Sequence, residues 1–298
     1  MRYVNLFAVA VVMLCGLFPI GLDAQTSPKA SPPPGATQAA AKSTPAAASN
    51  RLSFAVSEGT SGGIDPSQAI AKYRPLADLM EKALGKQIIV SLVRSFEALE
   101  TGLKNDEFDL VIARPSDYPA RGIRDYRYSL VATSKPDGRC VFIVEKNATL
   151  KTVADIKGKN VMLPEKISYM SKFCSAELRD KGINVATEKV IYTKEQGAVG
   201  WSVENRAADV GAVASYSAVA KNWEKSGHRI LHNSAPQPYS PLIASARVSP
   251  ELLAKLKAVL GDLDKTEAGQ KALASAGIQG FNLESSARLL ALLAWLEK

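Results

Sequence analysis

The sequence predicts an α/β fold of two similar lobes, each a mostly parallel sheet flanked by helices, and two stretches far apart in the chain carry this prediction. In residues 108–118 (FDLVIARPSDY) an acidic residue precedes a short apolar run, which a polar loop ends. That order is typical of a buried strand followed by a helix. Residues 208–216 (ADVGAVASY) repeat it. Because ligands of open α/β sheets bind beyond the carboxyl ends of the strands, we expect the two loops to face each other across a cleft.

Length and composition indicate a globular protein. The 298 residues allow one large or two modest domains, and 46% hydrophobic residues are ample for a core. The net charge of +8 is compatible with nucleic acid, a membrane surface or a small anionic ligand as partner. Lys and Arg are spread along the chain without basic runs or interleaved aromatic residues. We therefore interpret the charge as a generally basic surface and expect no nucleic acid partner.

Residues 1–24 have the pattern of a secretory signal peptide. Arg2 precedes an apolar run that reaches Leu22, and Leu-Asp-Ala precedes Gln25. We expect cleavage and export; the alternative is an uncleaved anchor that tethers the protein to the inner membrane, because the run is barely shorter than a bilayer span. Residues 25–50 are almost wholly Ala, Pro, Ser, Thr and Gly, which predicts a disordered spacer.

Cleavage of the signal would leave two cysteines, Cys140 and Cys174. In an oxidising compartment an even pair favours one disulfide, and two buried free thiols are the alternative.

The first half of the folded part predicts alternating strands and helices, hence a mostly parallel sheet built of βα units. A Gly-rich loop follows the first strand, and Gly85 ends the first helix. The elements, in order, are a strand at 52–56, a helix ending at 84, a strand at 87–92, a helix at 95–104, the strand of 108–118, a strand at 126–133 and a turn at KPDGR.

The βα pattern restarts after Cys140 and ends in three amphipathic helices, of which the first begins at Ser249 and Pro250. Their apolar faces need a sheet to cover, so we expect the chain to return to the first lobe. The elements between are strands at 140–144, 160–163, 187–192, 209–214, 229–233 and 242–246, helices at 168–181, 195–205 and from 215 toward 225, and an extended linker, SAPQPYSP.

Five motifs in this order resemble the phosphonate-binding proteins of bacterial ABC importers, within the type II periplasmic binding proteins: KYRPLADLMEKALG, FEALETGLKNDEFDLVIARPSDY, LKTVADIKGKNVMLP, ENRAADVGAVASY and ALASAGIQGF. The resemblance covers residues 51–281. It implies a periplasmic protein whose two lobes close over a small ligand that is delivered to a membrane permease. Two crossovers, near 133–140 and 233–242, would divide lobe 1 (51–136 and 237–298) from lobe 2 (137–236).

One loop departs from the family pattern. Phosphonate binders usually carry a Ser, Thr and Gly cluster after the ADIKGK strand, whereas this chain has PEKISYMSKF, which keeps Ser168 alone. Glu195 and Gln196 occupy the position that often holds Ser-His. The resemblance therefore implies a phosphonate or related oxyanion as ligand, and the altered loop leaves a different ligand open.

The candidate ligand-binding residues mostly follow predicted strands, where the loops of both lobes should share one side. Ser168 has helix capping as its alternative role, Arg114 has pairing with Glu58 or Asp117, and the tyrosines have core packing. The candidates are Glu58, Arg114, Ser116, Tyr118, Ser168, Tyr169, Gln196, Ser215 and Tyr216, with Tyr73 and Tyr239 at the rim.

Other chemistry finds little support in the sequence. Asp109 and Asp209 begin strands, at the end away from the cleft, which favours a capping or turn role. His228 and His232 flank one strand without a ligand cluster nearby, so we expect no metal and no cofactor. No SxxK motif is present, so we expect no enzyme, and a hydrolase is the least supported alternative. The main alternative to an importer component is a sensory binding protein that docks on a membrane kinase. In both cases we expect a monomer.

Overall fold

A computed structural model describes residues 50–59 and 65–298. The signal peptide predicted at 1–24 and all but the last residue of the predicted spacer lie outside the described residues, as does part of the Gly-rich loop. No helix in the described part is long and apolar enough to cross a membrane.

The chain alternates strands and helices as the apolar patterns predict. The strands are β1 (Arg51–Ser57), β2 (Gln87–Leu92), β3 (Leu110–Ala113), β4 (Tyr128–Gly138), β5 (Cys140–Glu145), β6 (Asn160–Pro164), β7 (Lys189–Thr193), β8 (Val210–Ala214), β9 (His228–Asn233), β10 (Gln237–Ser245) and β11 (Gly280–Asn282). The α-helices are α1 (Pro66–Leu84), α2 (Phe96–Lys104), α3 (Asp117–Asp125), α4 (Tyr169–Asp180), α5 (Gln196–Glu204), α6 (Ala218–Lys221), α7 (Pro250–Asp262), α8 (Glu267–Ala276) and α9 (Ala287–Leu296).

Six strands form the first sheet, in the order β11-β4-β10-β3-β1-β2. β1 lies at its parallel end, paired with β2 on one side and β3 on the other. β10 pairs antiparallel with β3 and β4, and β11 pairs antiparallel with β4. All four residues of β3 are buried, as the uninterrupted apolar run predicts for a strand covered on both faces.

Five strands form the second sheet, in the order β7-β6-β8-β5-β9. β6 is parallel to β7 and β8, and β5 is antiparallel to β8 and β9. The predicted α/β class with two helix-flanked sheets is confirmed. The prediction overstates the share of parallel strand pairs, because both sheets mix parallel and antiparallel pairs.

The crossovers explain the antiparallel strands. The chain leaves the first sheet on β4, enters the second on β5, and returns from β9 to β10. Outgoing and returning segments lie side by side, with Gln237 opposite Gly138, so they must run in opposite directions. Arg139 Nη1 donates to Ser234 O at 2.7 Å, and Ser234 Oγ accepts from Cys140 N–H at 2.9 Å, which ties the two crossovers together.

Three elements differ most from the sequence predictions. The KPDGR turn is largely the end of β4, and the SAPQPYSP linker contains the start of β10. Proline cannot donate a ladder hydrogen bond. The strand accommodates Pro238 and Pro241 through register shifts around Tyr239 and Leu242. The helix from Ser215 toward Lys225 shrinks to α6, which Ser217 caps and Asn222 ends.

The chain does return to the first sheet, where β11 pairs with β4 and α8 packs on α1. α9 lies against both α3 and α4. Arg124 Nη1 pairs with Glu297 at 2.6 Å on the α3 side. On the α4 side, the Trp295 ring packs edge-on against Phe173 with the ring centres 5.6 Å apart. The last helix therefore contacts elements of both sheets.

Candidate ligand-binding site

A small pocket lies where the carboxyl ends of the two sheets meet. Its first wall comes from the first sheet and consists of Glu58, Gly59, Phe96, Arg114 and Pro115. Its second wall comes from the second sheet and consists of Ser168, Tyr169, Met170, Gln196 and Tyr216. The six parallel strands β1, β2, β3, β6, β7 and β8 each precede at least one of these residues. The pocket thus occupies the position that α/β sheets use for ligands.

Six of the predicted site residues line this pocket: Glu58, Arg114, Ser168, Tyr169, Gln196 and Tyr216. The other five, Tyr73, Ser116, Tyr118, Ser215 and Tyr239, lie behind the lining or beside the crossovers, as the contacts below show.

Glu58 is the centre of the first wall, and its carboxylate is fully engaged. Oε1 accepts from the Tyr73 hydroxyl at 2.6 Å and from Lys72 Nζ at 2.9 Å. Oε2 accepts from Lys72 Nζ at 3.1 Å and pairs with Arg114 Nη1 at 3.0 Å. Tyr73 therefore supports the wall from behind, and of the two predicted alternatives for Arg114 the structure has the pair with Glu58. Burial, and after it Glu58, raises the pKa of the Tyr73 phenol, so Tyr73 stays a neutral donor.

Two stacked tyrosines continue the site toward the return crossover. The Tyr216 and Tyr239 rings lie 4.2 Å apart, and the Arg114 guanidinium lies 5.5 Å from the Tyr216 ring centre. A guanidinium over an aromatic ring at this distance makes a favourable cation–π contact. Burial raises the pKa of Tyr239 to about 12, and Arg114 opposes the rise. Tyr239 itself does not line the pocket but fixes the ring of Tyr216, which does.

The second wall consists mainly of helix starts. Ser168 caps α4, its Oγ accepting from Ser171 N–H at 3.2 Å. Ser168 therefore has its predicted alternative role as a helix cap, and this leaves other amide groups of the first turn without intrahelical partners. α5 begins at Gln196, whose Oε1 accepts from Ala214 N–H at 2.7 Å and thereby fixes the start of α5 to the end of β8. Both helix starts present partial positive charge to the pocket.

Ser116 and Ser215, two predicted ligand contacts, instead hold the crossovers. Ser116 Oγ donates to Pro238 O at 3.0 Å, and Ser215 Oγ accepts from Arg139 N–H at 3.1 Å. Neither residue lines the pocket. The physical reason is that crossover backbone groups, distant in sequence, take up both hydroxyls.

Tyr118 also lies behind the first wall. Its ring stacks on Phe96 at 5.6 Å and 8° between the ring planes, and the Arg121 guanidinium lies 4.3 Å from its centre. Burial, and after it Asp117, raises the pKa of Tyr118 to about 12. Phe96, which the sequence analysis missed, takes its place in the lining. The rule that selected the other candidates would have found Phe96, because it follows β2 and begins α2.

Four further residues lie outside the pocket lining. Cys140 and Cys174 form a disulfide that joins β5 to α4, with the Cα atoms 5.4 Å apart. Asp109 Oδ2 accepts from Ser53 N–H at 2.8 Å, and Asp209 Oδ2 accepts from Asn160 N–H at 2.8 Å, so both predicted strand-start carboxylates bind a neighbouring strand. Among the described residues, no cluster of His, Cys, Asp and Glu has the arrangement of a metal site.

Comparison with known families gives one match over most of the chain. The model of the family described as ABC transporter, phosphonate, periplasmic substrate-binding protein matches residues 63–287.

Solved structures of similar fold include XAC2383 from Xanthomonas citri bound to ATP, at 16% identity and a TM-score of 0.68, covering 84% of this chain and 98% of that one. PhnD1 from Prochlorococcus marinus in complex with methylphosphonate has 16% identity and a TM-score of 0.66, with coverage of 83% and 97%. A binding protein component of an ABC phosphonate transporter from Pseudomonas aeruginosa has 13% identity and a TM-score of 0.62, with coverage of 83% and 85%. At these identities the likeness shows the fold alone.

Proposed function

We propose that this chain captures a small anion between its two walls and delivers it to a membrane permease. It belongs to the family of periplasmic substrate-binding proteins of phosphonate ABC transporters. The observation that carries the proposal is the convergence of all six parallel strand ends on one pocket. At that pocket the starts of α4 and α5 and the Arg114 guanidinium supply the partial and full positive charge that an oxyanion needs.

Entry of a ligand requires the walls to separate. The cavity measures about 10 Å³, which is near the lower limit for one water molecule. A phosphonate has several heavy atoms and exceeds this volume. Two short crossovers, 139 and 234–236, connect the sheets and can absorb a rotation. Because only apposed walls contact a ligand from both sides, binding favours the closed arrangement.

The proposal includes the lobe bounds 51–136 with 237–298 for lobe 1 and 137–236 for lobe 2. It also includes export of a monomer whose mature chain begins at Gln25. Sequencing the N-terminus of protein recovered from the periplasm tests export, and a first residue of Met1 would contradict it.

A thermal-shift screen tests the anion. Methylphosphonate, methanesulfonate, phosphate, methylamine and a neutral alcohol are each titrated against the full mature chain, and hits are measured by calorimetry. At a concentration a hundredfold above the dissociation constant, a bound anion should add about 2.7 kcal/mol to the free energy of unfolding. A shift with methylamine or the alcohol, and with none of the three anions, would overturn the proposal.

The variant Ser168→Ala tests whether the anion binds at the start of α4. Loss of a Ser cap costs about 1 kcal/mol of stability, and Ser249→Ala provides the matched control, since Ser249 caps α7 through Leu252 N–H. Both variants should lose similar stability, but only Ser168→Ala should weaken anion binding. Equal anion affinity in the two variants would place the anion elsewhere.

A further inference from the structure

The Glu58 carboxylate has no capacity left for a ligand. A carboxylate offers about four lone-pair directions, and Lys72, Tyr73 and Arg114 supply four contacts of 2.6 to 3.1 Å. Its side chain is 6% exposed, so solvent cannot replace a lost partner easily. Among the described residues that line the pocket, Glu58 is the single acidic one.

Glu58, Lys72 and Arg114 together carry one positive charge. The Lys72 side chain is 19% exposed and the Arg114 side chain 16%, and charges so far removed from water are costly unless they are matched. A ligand with one negative charge neutralises the group. A ligand with two negative charges exceeds the charge of this group by one.

We propose that Glu58 acts as a fixed counterion, which restricts the ligand to a monoanion without an ammonium group; the inference rests on the proposed function. An ammonium group would need Glu58 to release one of its donors, and it would meet the Arg114 guanidinium of the pocket lining, with Lys72 bound to the same carboxylate. Phe96 in the first wall and Met170 in the second wall offer apolar surface to the pocket. The ligand class that fits is a small singly charged oxyacid with an apolar substituent, such as an alkyl sulfonate or a singly ionised phosphonate.

Methanesulfonate and methylphosphonate test the charge, because they share one shape and differ by one charge when methylphosphonate is doubly ionised. Burial and the neighbouring Arg114 lower the pKa of Lys72, so the measurement uses the lowest pH that doubly ionises methylphosphonate. The wild type should bind methanesulfonate more tightly, by about tenfold if one unmatched charge acts across the pocket at an effective dielectric constant near that of protein sites.

Two variants should move this preference in opposite directions. Glu58→Gln adds a positive charge to the group and should shift the affinity ratio about tenfold toward methylphosphonate. Lys72→Met removes one and should shift it by a similar factor toward methanesulfonate. The surface pair Glu251 and Lys255, 2.7 Å apart, supplies the matched controls Glu251→Gln and Lys255→Met, which should leave the ratio unchanged. Damage to the fold alone would weaken both ligands together.

A second pair tests the ammonium group. Ethanesulfonate should bind at least about tenfold more tightly than 2-aminoethanesulfonate, since the added ammonium is repelled by Arg114 in the lining and by Lys72 behind it. Equal affinity, a wild-type preference for doubly ionised methylphosphonate, or a ratio that moves the same way in both charge variants would overturn the counterion role and leave the anion site intact. If the wild type binds none of these anions, the proposed function fails and the inference fails with it. Should Glu58→Gln not fold, Lys72→Met and the ammonium pair still decide.

Discussion

The two walls of the pocket differ in how their polar groups are engaged. In the first wall, Glu58 and Arg114 pair with each other at 3.0 Å, and Lys72 completes the group. In the second wall, Ser168 and Gln196 each accept one backbone hydrogen bond, and the lining residues carry no formal charge. The first wall is charged and mutually satisfied, whereas the second is neutral and contains helix starts with amide groups to offer.

This difference indicates a division of roles. A group that already has its partners can set the electrostatic potential of a site without gaining hydrogen bonds when the ligand arrives. Helix amide groups gain hydrogen bonds on binding, and they cost little to arrange because the helix fixes them. We therefore expect the first wall to determine which charge is accepted and the second wall to supply most of the directional contacts.

Removing the disulfide beside the second wall should have the largest effect of the changes considered, on both stability and anion binding. Cys140 and Cys174 are both fully buried, and 34 residues separate them in the sequence. The double variant Cys140→Ala, Cys174→Ala should lose about 3 to 4 kcal/mol of unfolding free energy on the chain-entropy account of a loop of this size. It should also weaken anion binding, because the bond fixes α4, whose first turn lines the pocket, to β5.

Urea unfolding and calorimetry measure both effects, and wild type under reducing conditions is the control for cavity formation by the alanines. Mass spectrometry after non-reducing alkylation should leave both thiols unmodified in the wild type. A stability loss below about 1 kcal/mol would show that packing holds α4.

The sequence predicted the strand ends well because their pattern is local. An acidic residue followed by a buried run of three to five apolar residues identifies β3 and β8, and the residues just past such runs, such as Arg114 and Tyr216, line the pocket. Gln196 and Ser168 follow the same rule through helix starts. Parallel strands place the residues that follow them at one edge of the sheet. Because the apolar runs locate the strand ends in a single sequence, this part of the site could be predicted.

What the sequence could not predict depends on contacts between distant residues. Ser116 lies 122 residues from Pro238 and Ser215 lies 76 residues from Arg139, so nothing near either serine indicates that its hydroxyl holds a crossover. The same holds for the mixed sheets, since the direction of β10 is set by the crossover beside it and not by its own residues. Glu58 was predicted as a ligand contact with Arg114 as one possible partner, but the addition of Lys72 and Tyr73 requires the position of α1.

The ion pair between the walls offers a smaller test of whether they act as separable parts. Asp117, in the first turn of α3, has a side chain that is 1% exposed and pairs with Lys172 Nζ of α4 at 2.8 Å. Arg121 Nη1 also reaches Asp117, at 3.4 Å. Lys172→Met keeps a stem beside the Tyr118 ring and removes the charge. Because Lys172 is 35% exposed and Arg121 remains, we expect the substitution to reduce the stabilising free energy of this contact by only about 1 kcal/mol.

That loss should fall on the closed arrangement, since the pair joins elements on opposite sides of the cleft. Methanesulfonate affinity should fall about fivefold, which is what 1 kcal/mol corresponds to, while the urea midpoint without ligand changes little. Lys265→Met, which removes an exposed pair with Asp262 at 2.6 Å, is the control and should leave affinity unchanged. If Lys172→Met instead lowers the urea midpoint and spares the affinity, the pair stabilises the folded chain whether or not ligand is bound. The pair would then contribute to folding alone, and its role in stabilising the closed arrangement would be wrong.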